Sequence, residues 1–378
     1  MPHYRKRHMS QRVLLFVLVV LIIASGILGV MSIKFRSVPA SSLYYYRISD
    51  RLEPWGISGN LPDVFTEAIG KQYLIMGKFA QTELLMFETL NYVDQLMKKV
   101  PYPLSIKYVY GVCGSDLMAN KGYLADTLYK KYGSDAHDMI PATYLLDSES
   151  AIQQIKNEFD PSNVYILKKN IQRQEGYLLT RNLHEILQNR NEYVVCQKML
   201  QNPYLVNGRK INLRIYLVVM AKHGNVSFYY FDNGFLYYTP LMFKPTSMNP
   251  GEVITTGYID RQVYKENPMT LRDLEQFLGE TKYDKLMISV HMLLKKVKMA
   301  YQERLRAENA GLPGVKFLVY GCDVAPDSDL QVQLMEINKG PDLNYKDDRD
   351  KAVKLTMVRQ VMNLVGITQG DYKSLLRV

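Results

Sequence analysis

Residues 330–343 read LQVQLMEINKGPDL, an apolar stretch that carries Glu336 and Asn338 and then breaks at Gly340-Pro341. Successive strand side chains point to opposite faces, so Glu336 and Asn338 share one face while Met335 and Ile337 take the other. A carboxylate beside a core is costly unless it is paired or bound to a metal. Taken alone, the stretch reads equally well as an edge strand with a wet face. The preceding run VKFLVYGCDV (315–324) ends next to Asp323, and the turn APDSD (325–329) joins the two, so they are expected to be antiparallel neighbours. Asp323, Glu336 and Asn338 then converge as hard oxygen donors of the kind Mg2+ accepts in ones and twos together with phosphate oxygens. The turn does not fix the register, so this convergence is an expectation.

A site for Mg2+ and phosphates also needs cations. Lys168 follows the apolar run VYIL and projects from a strand. Lys210, Asn212 and Arg214 in GRKINLRIY alternate along one strand face, which suits a polyphosphate or an acyl phosphate. Each of these is, singly, as readily a solvated strand face. Their combination with the Asp/Glu/Asn set favours nucleotide binding.

Around these motifs the chain is α+β. The stretch 71–100 has apolar residues at helical spacing and predicts one or two helices, and 116–133 predicts another, closed by Gly133. Residues 148–159 are helical, opening on a Ser148 cap. Beyond Asp160 come β-branched and aromatic runs at 163–170, 192–200, 211–220, 226–231 and 234–243, with HGN (223–225) and DNG (232–234) read as hairpin turns. Helical patterning returns over 270–311 and 349–366. The expected architecture is mixed, with antiparallel sheet predominating. It divides into a basic tail (1–12), a transmembrane helix (13–33), a stem (34–60), an α/β region (61–160), the nucleotide-binding region (161–345) and a closing helix (346–378).

The apolar run VLLFVLVVLIIASGILGVMSI (13–33) carries no charge and is long enough to cross a hydrocarbon core as an uncleaved anchor. Arg5, Lys6, Arg7 and Arg12 precede it; Lys34, Arg36 and Arg47 follow, a balance too even to settle which side the main domain occupies. The expected localisation is a single-pass membrane protein. The sequence of 378 residues is 47% hydrophobic and 22% charged, which excludes global disorder. A net charge of +10 favours acidic partners, but no basic run interleaved with aromatics follows the N-terminus, so nucleic acid is not expected. Cys113, Cys196 and Cys322 are too few and too far apart for a disulfide framework or a zinc site, and Cys196 reads as a buried thiol. Walker A, kinase-loop and GxGxxG patterns are absent.

The ordered blocks PATYLL, VYILKKN…EGYLL, VVCQKMLQNPYLVNGRKINLRIYLVV, DNGFLYY and VYGCDVAPDSDLQVQLMEINKGPDL resemble the tubulin–tyrosine ligase-like family of ATP-grasp enzymes over about residues 106–345. The resemblance implies an ATP-grasp fold with antiparallel sheets and packed helices. It also implies ATP and Mg2+ as cofactors, and a reaction in which ATP phosphorylates a carboxylate and a free amino acid's amine attacks the acyl phosphate. On this resemblance Asp323, Glu336 and Asn338 match the metal positions, Lys168 the lysine that holds the ATP phosphates, and Gln197, Lys198, Met199 and Leu200 the adenine-contacting hinge. Lys210 and Arg214 match the basic pair near phosphates and acceptor, where they would serve catalysis. Lys121, in MANKGYL, resembles the lysine of the family's RK-x-x-L helix, and Arg173 and Gly176 remain from its Arg-Gly-x-Gly phosphate loop.

Departures from the pattern cluster on the loop and acceptor side. Gln174 and Glu175 replace loop residues where a glycine would let backbone approach phosphates. Asn212 stands for an Asp, Tyr237 for an Arg, and Gly257 for the Asn of an LTN block. Two classes of function therefore stay open: an ATP-dependent ligase acting on an acidic protein or peptide acceptor, tubulin-like if the domain is cytoplasmic, and a nucleotide-binding pseudoenzyme or membrane-tethered adaptor. An ATP-grasp ligase with a non-protein acceptor is a third, lesser reading.

Overall fold

The computed structural model describes residues 43–48, 63–76, 79–87, 93–170 and 176–378. The apolar run 13–33, most of the expected stem and Arg173 lie outside the described residues. Among those described, no helix is long and apolar enough to cross a membrane.

The first described elements are β1 (Leu43–Ile48), α1 (Asp63–Ile69), β2 (Leu74–Met76), β3 (Leu84–Phe87), α2 (Val93–Lys99) and β4 (Tyr108–Tyr110). β1 lies within the stretch expected to be a stem, and pairs in parallel with β2 and β3; β3 in turn pairs in parallel with β4. Of the one or two helices expected over 71–100, α2 is the one α-helix among the described residues there, and β2 and β3 take the place of the rest. Leu84, Leu85, Met86 and Phe87 are all buried, because a parallel strand is covered on both faces and loses its period-two pattern. Next, α3 (Ser115–Ala119) and α4 (Lys121–Tyr132) divide what reads as one helix. Asn120 is extended between them, and its side chain accepts the Gly122 and Tyr123 N–H groups to cap α4. This cap sets Lys121 at the start of α4.

A smaller sheet follows, with β5 (Thr143–Leu145), α5 (Glu149–Glu158), β6 (Tyr165–Lys168), β7 (Tyr177–Thr180), α6 (Leu183–Gln188) and β8 (Val195–Lys198). Its order is β5-β8-β6-β7, antiparallel throughout. One face buries Tyr165, Leu167 and Cys196 with Ile152 and Ile155 of α5 and Ile186 of α6. Alternation along β6 sends Ile166 and Lys168 to the other face, where both line a cavity.

The chain then returns to the main sheet through β9 (Leu205–Val206), β10 (Arg209–Lys222) and β11 (Asn225–Tyr238). His223 and Gly224 both have positive φ (48° and 74°), as a two-residue hairpin requires. The second expected turn, DNG, is corrected. β11 runs straight through it, with a register irregularity opposite Ile215–Leu217. A Cβ at Gly234 would stand 2.2 Å from the Arg214 carbonyl oxygen, so the glycine serves close strand approach and not chain reversal. Short helices α7 (Pro250–Val253), α8 (Val263–Glu266) and α9 (Leu271–Leu278) lead to the long α10 (Glu280–Asn309), then β12 (Val315–Pro326), β13 (Val332–Lys339), α11 (Asp348–Val365) and β14 (Leu375–Arg377). α10 buries Leu286, Val290, Leu293, Val297 and Leu305 at helical spacing against β10–β13.

The main sheet runs β14-β11-β10-β12-β4-β3-β1-β2, with β13 and β9 pairing β12 and β10. Its centre is antiparallel and one flank parallel, so it is mixed to a greater degree than the sequence reading held. The cavity lies between the two sheets.

Candidate active site

The β12–β13 pairing answers the question raised by residues 330–343. The strands are antiparallel, with Asp323 directly opposite Glu336 and Gly321 opposite Asn338. The register shifts between Asp323 and Val324, which leaves Met335 without a partner. This bulge corrects the simple alternation: Met335 lines the cavity beside Glu336, and Ile337 alone turns to the core. Asn338 Nδ2 donates to Glu336 Oε1 at 3.0 Å and to Asp323 Oδ2 at 3.4 Å. The three side chains therefore meet.

On the other side of β12, Arg214 of β10 is the register partner of Asp323. Its Nε donates to Oδ1 at 2.6 Å and its Nη2 to Oδ2 at 3.1 Å, a bidentate pair. Gly321 makes room for it, since a Cβ there would meet Arg214 Nη1 at 2.9 Å. The guanidinium also stacks 4.8 Å from the Tyr237 ring centre. Lys210, Asn212 and Arg214 all line the cavity, as one strand face must. The Asn212 Oδ1 is buried with no hydrogen-bond partner, an acceptor in need of a donor.

Cations face this row from outside the main sheet. Lys121 Nζ lies 3.4 Å from Glu336 Oε2. Lys168 Nζ donates to Gln197 Oε1 at 2.6 Å, Gln197 Nε2 to Thr143 Oγ1 at 2.9 Å, and Thr143 Oγ1 to the Pro141 carbonyl at 2.6 Å. That chain across β6, β8 and β5 fixes the Lys168 stem. Burial pushes the Lys168 ammonium down to about 8, with Glu336 pulling it back and Lys121 depressing it further. Burial, helped by the Lys168 charge, also puts Lys210 at about 8; its Nζ donates to the Val253 carbonyl at 3.3 Å. Burial raises Asp323 above the usual carboxylate range against the pull of Arg214. Burial opposes ionisation of Glu336 too, but Lys121 and Lys168 together hold it below that range.

The cavity holds about 520 Å3. Lys121, Lys168, Met199, Lys210, Arg214, Asp323, Glu336 and Asn338 all line it. Gln197 stands behind Lys168, whereas Lys198 and Leu200 are not among the lining residues, because a strand offers only alternate positions to one side. Apart from Gly257, sequence reasoning missed the far wall, which is completed by Tyr258, Arg261, Asp342, Lys346, Asp350 and Lys354. The one available signal was Lys354, set between Val353 and Leu355 on an apolar helix face. Cys113, Cys196 and Cys322 are buried and free.

A mixed sheet, a smaller antiparallel sheet, and acids and cations meeting between them define the class, and comparison of sequences gives the family. Residues 112–373 match the tubulin-tyrosine ligase family, and the chain belongs to it. Among its relatives is a probable beta-tubulin polyglutamylase of Tetrahymena thermophila, 24% identical over 306 residues, covering 73% of this chain and 25% of the relative. Tubulin polyglutamylase TTLL13 of Mus musculus is 23% identical over 291 residues, 70% of this chain and 35% of its own length. Inactive polyglycylase TTLL10 of Homo sapiens is 24% identical over 260 residues, 60% of this chain and 38% of its own. The chain thus spans between 25% and 38% of the length of these relatives.

Proposed function

We propose that this protein is an ATP-dependent carboxylate–amine ligase that joins a free amino acid to an acidic protein acceptor, with a tubulin-like tail as the acceptor if the domain faces the cytoplasm. The carrying observation is the meeting of Asp323, Glu336 and Asn338 opposite Lys168 across the cavity. Two carboxylates and an amide suit Mg2+ shared with phosphates, and the orphan Asn212 Oδ1 marks a polar wall built for a ligand. Mg2+ bound there would supply charge neutralisation for phosphoryl transfer. Lys168 and Lys210 would bind and orient the phosphates, Arg214 holds Asp323 in place, and Met199 would pack against the base. The polyglutamylase relatives support addition of an amino acid to tubulin as the reaction type.

Tyr237 and Gly257, standing where the family resemblance leads one to expect an Arg and an Asn, and the inactive relative favour the second reading, nucleotide binding without turnover. Purified chain with Mg-ATP, a pool of amino acids and acidic peptides separates the two. Amino-acid-dependent ADP release with a matching mass gain on the peptide is expected; ATP binding with no turnover would install the second reading. An anchor through 13–33 belongs to the proposal as well. Asn225, exposed at the β10–β11 turn within the sequon Asn225-Val226-Ser227, reports its topology: a glycan there puts the domain on the translocated side.

The lysines add a pH signature. As pH rises through about 8, Lys168 and Lys210 lose their charge, so metal-free affinity for a non-hydrolysable ATP analogue is expected to fall about tenfold between pH 7 and 9. Stability moves the other way. Both folded values lie below the ordinary 10.5, so between about pH 8 and 10.5 the unfolded chain binds more protons and the empty fold gains stability. Titrations at several pH values, with thermal midpoints on the same samples, check both. An affinity flat over this range would remove the lysines from the phosphate site.

A further inference from the structure

We propose that Asp342 and Lys346, on the loop between β13 and α11, form the subsite that seats the free amino acid, with Asp342 taking its ammonium and Lys346 its α-carboxylate. This rests on the ligase reading and names where its second substrate binds.

Both residues are exposed and line the cavity that holds the acidic triad. Asp342 lies four residues beyond Asn338, past Gly340 and Pro341. Gly340 takes a positive φ of 67° and Pro341 fixes the next. Asp342 lines the same cavity as Asp323, Glu336 and Asn338, so a ligand held by Asp342 shares that cavity with the acidic triad. Asp342 Oδ1 accepts the Asn344 N–H at 3.0 Å, and no lysine or arginine of the described residues pairs with this carboxylate within salt-bridge distance. It is an acceptor open to the cavity.

Lys346 is held in place but not used up. Its Nζ donates to the Gly257 carbonyl at 2.9 Å and stands 4.9 Å from the Tyr258 ring centre. An ammonium has three donors, so two remain for a carboxylate. Burial depresses the Lys346 ammonium, Asp342 supports it, and Lys354 and Arg261 push it down again; the charges of this wall therefore act on one another directly. Asp350 and Lys354 pair with each other and Arg261 pairs with Asp347, which leaves Asp342 and Lys346 with hydrogen-bonding capacity of opposite sign in the same cavity, an arrangement that fits a zwitterion better than a simple anion or a simple amine.

The departures at 237 and 257 fit the same arrangement. A Cβ at Gly257 would meet the Tyr237 ring at 3.0 Å, so the ring occupies the space a side chain at 257 would need. The cation that the family resemblance leads one to expect at 237 is gone, and Lys346 brings one to Gly257 from another element.

The test is binding of glycine, L-glutamate and L-tyrosine to the full chain by calorimetry, with and without a non-hydrolysable ATP analogue, compared with glutarate, which lacks the ammonium. Wild type is expected to bind at least one of the three amino acids. Asp342→Asn and Lys346→Met are each expected to weaken it at least about tenfold, with affinity for the ATP analogue within about twofold of wild type. Lys346→Arg is expected to restore most of the loss, and Asp342→Asn to leave glutarate binding unchanged. Unaltered amino acid binding in both variants, or a wild type that binds the analogue but none of the amino acids, overturns the subsite. Loss of analogue binding by wild type itself would instead strike at the ligase reading, while the amino acid titrations without analogue still decide the subsite.

Discussion

Glu336→Gln is expected to lower amino-acid-dependent ADP release by at least about a hundredfold. Gln keeps the shape of Glu and an oxygen for Asn338 Nδ2, which now donates at 3.0 Å. It loses the charge that Lys121 approaches at 3.4 Å and that supports the buried Lys168 ammonium. Two effects follow from that one lost charge. A metal ligand is weakened, so Mg2+ should no longer tighten binding of the ATP analogue. Lys168 also loses a counter-charge, so its deprotonation shifts to lower pH, and the metal-free fall in analogue affinity should begin below the wild-type value. Measuring affinity against both Mg2+ and pH separates these. Mg2+ dependence and turnover that both survive in Glu336→Gln would remove the acidic triad from the chemistry.

How far the sequence carried the reading depended on whether a signal was local. Period two over 336–338 placed Glu336 and Asn338 on one side and Ile337 on the other, where Ile337 is buried. The five-residue turn before it brought Asp323 alongside. Lys210, Asn212 and Arg214 were equally legible, since alternate positions on β10 must share a face. Met335 was misplaced because a bulge is set by pairing with β12 and leaves no mark in composition. Leu84–Phe87 read as helix because a strand buried on both faces shows an unbroken apolar run. DNG read as a turn because Asn-Gly serves a tight turn and an irregular strand crossing alike. The far wall of the cavity was illegible for a different reason. Asp342, Lys346 and Arg261 sit on loops whose meeting is decided by tertiary packing, and on a helix a lysine such as Lys354 ordinarily reads as solvated.

That lysine leads to the largest expected effect on stability. Asp350 and Lys354 lie one turn apart on α11, each with a side chain 4% exposed, and their charged atoms are 2.9 Å apart. Asp350 Oδ2 also accepts the Lys346 N–H at 2.8 Å, and Lys354 Nζ donates to the Asn344 carbonyl at 2.6 Å. The pair therefore fastens the loop carrying Asp342 and Lys346 to the helix behind it. Asp350→Ala would leave a buried ammonium with one acceptor and an orphaned backbone N–H. Breaking such a pair costs about 3–5 kcal/mol, which lowers the thermal midpoint by roughly 6 °C or more. Lys354→Met should cost a similar amount through the uncompensated carboxylate. The double variant should be less damaging than the sum of the two, because removing both charges together leaves neither stranded; Met on that apolar face packs beside Phe235, over which Lys354 now lies at 5.7 Å. Thermal melts of the two singles and the double decide it: additive losses would mean that the charges act independently, and the pair would then not be what holds the amino acid wall in place.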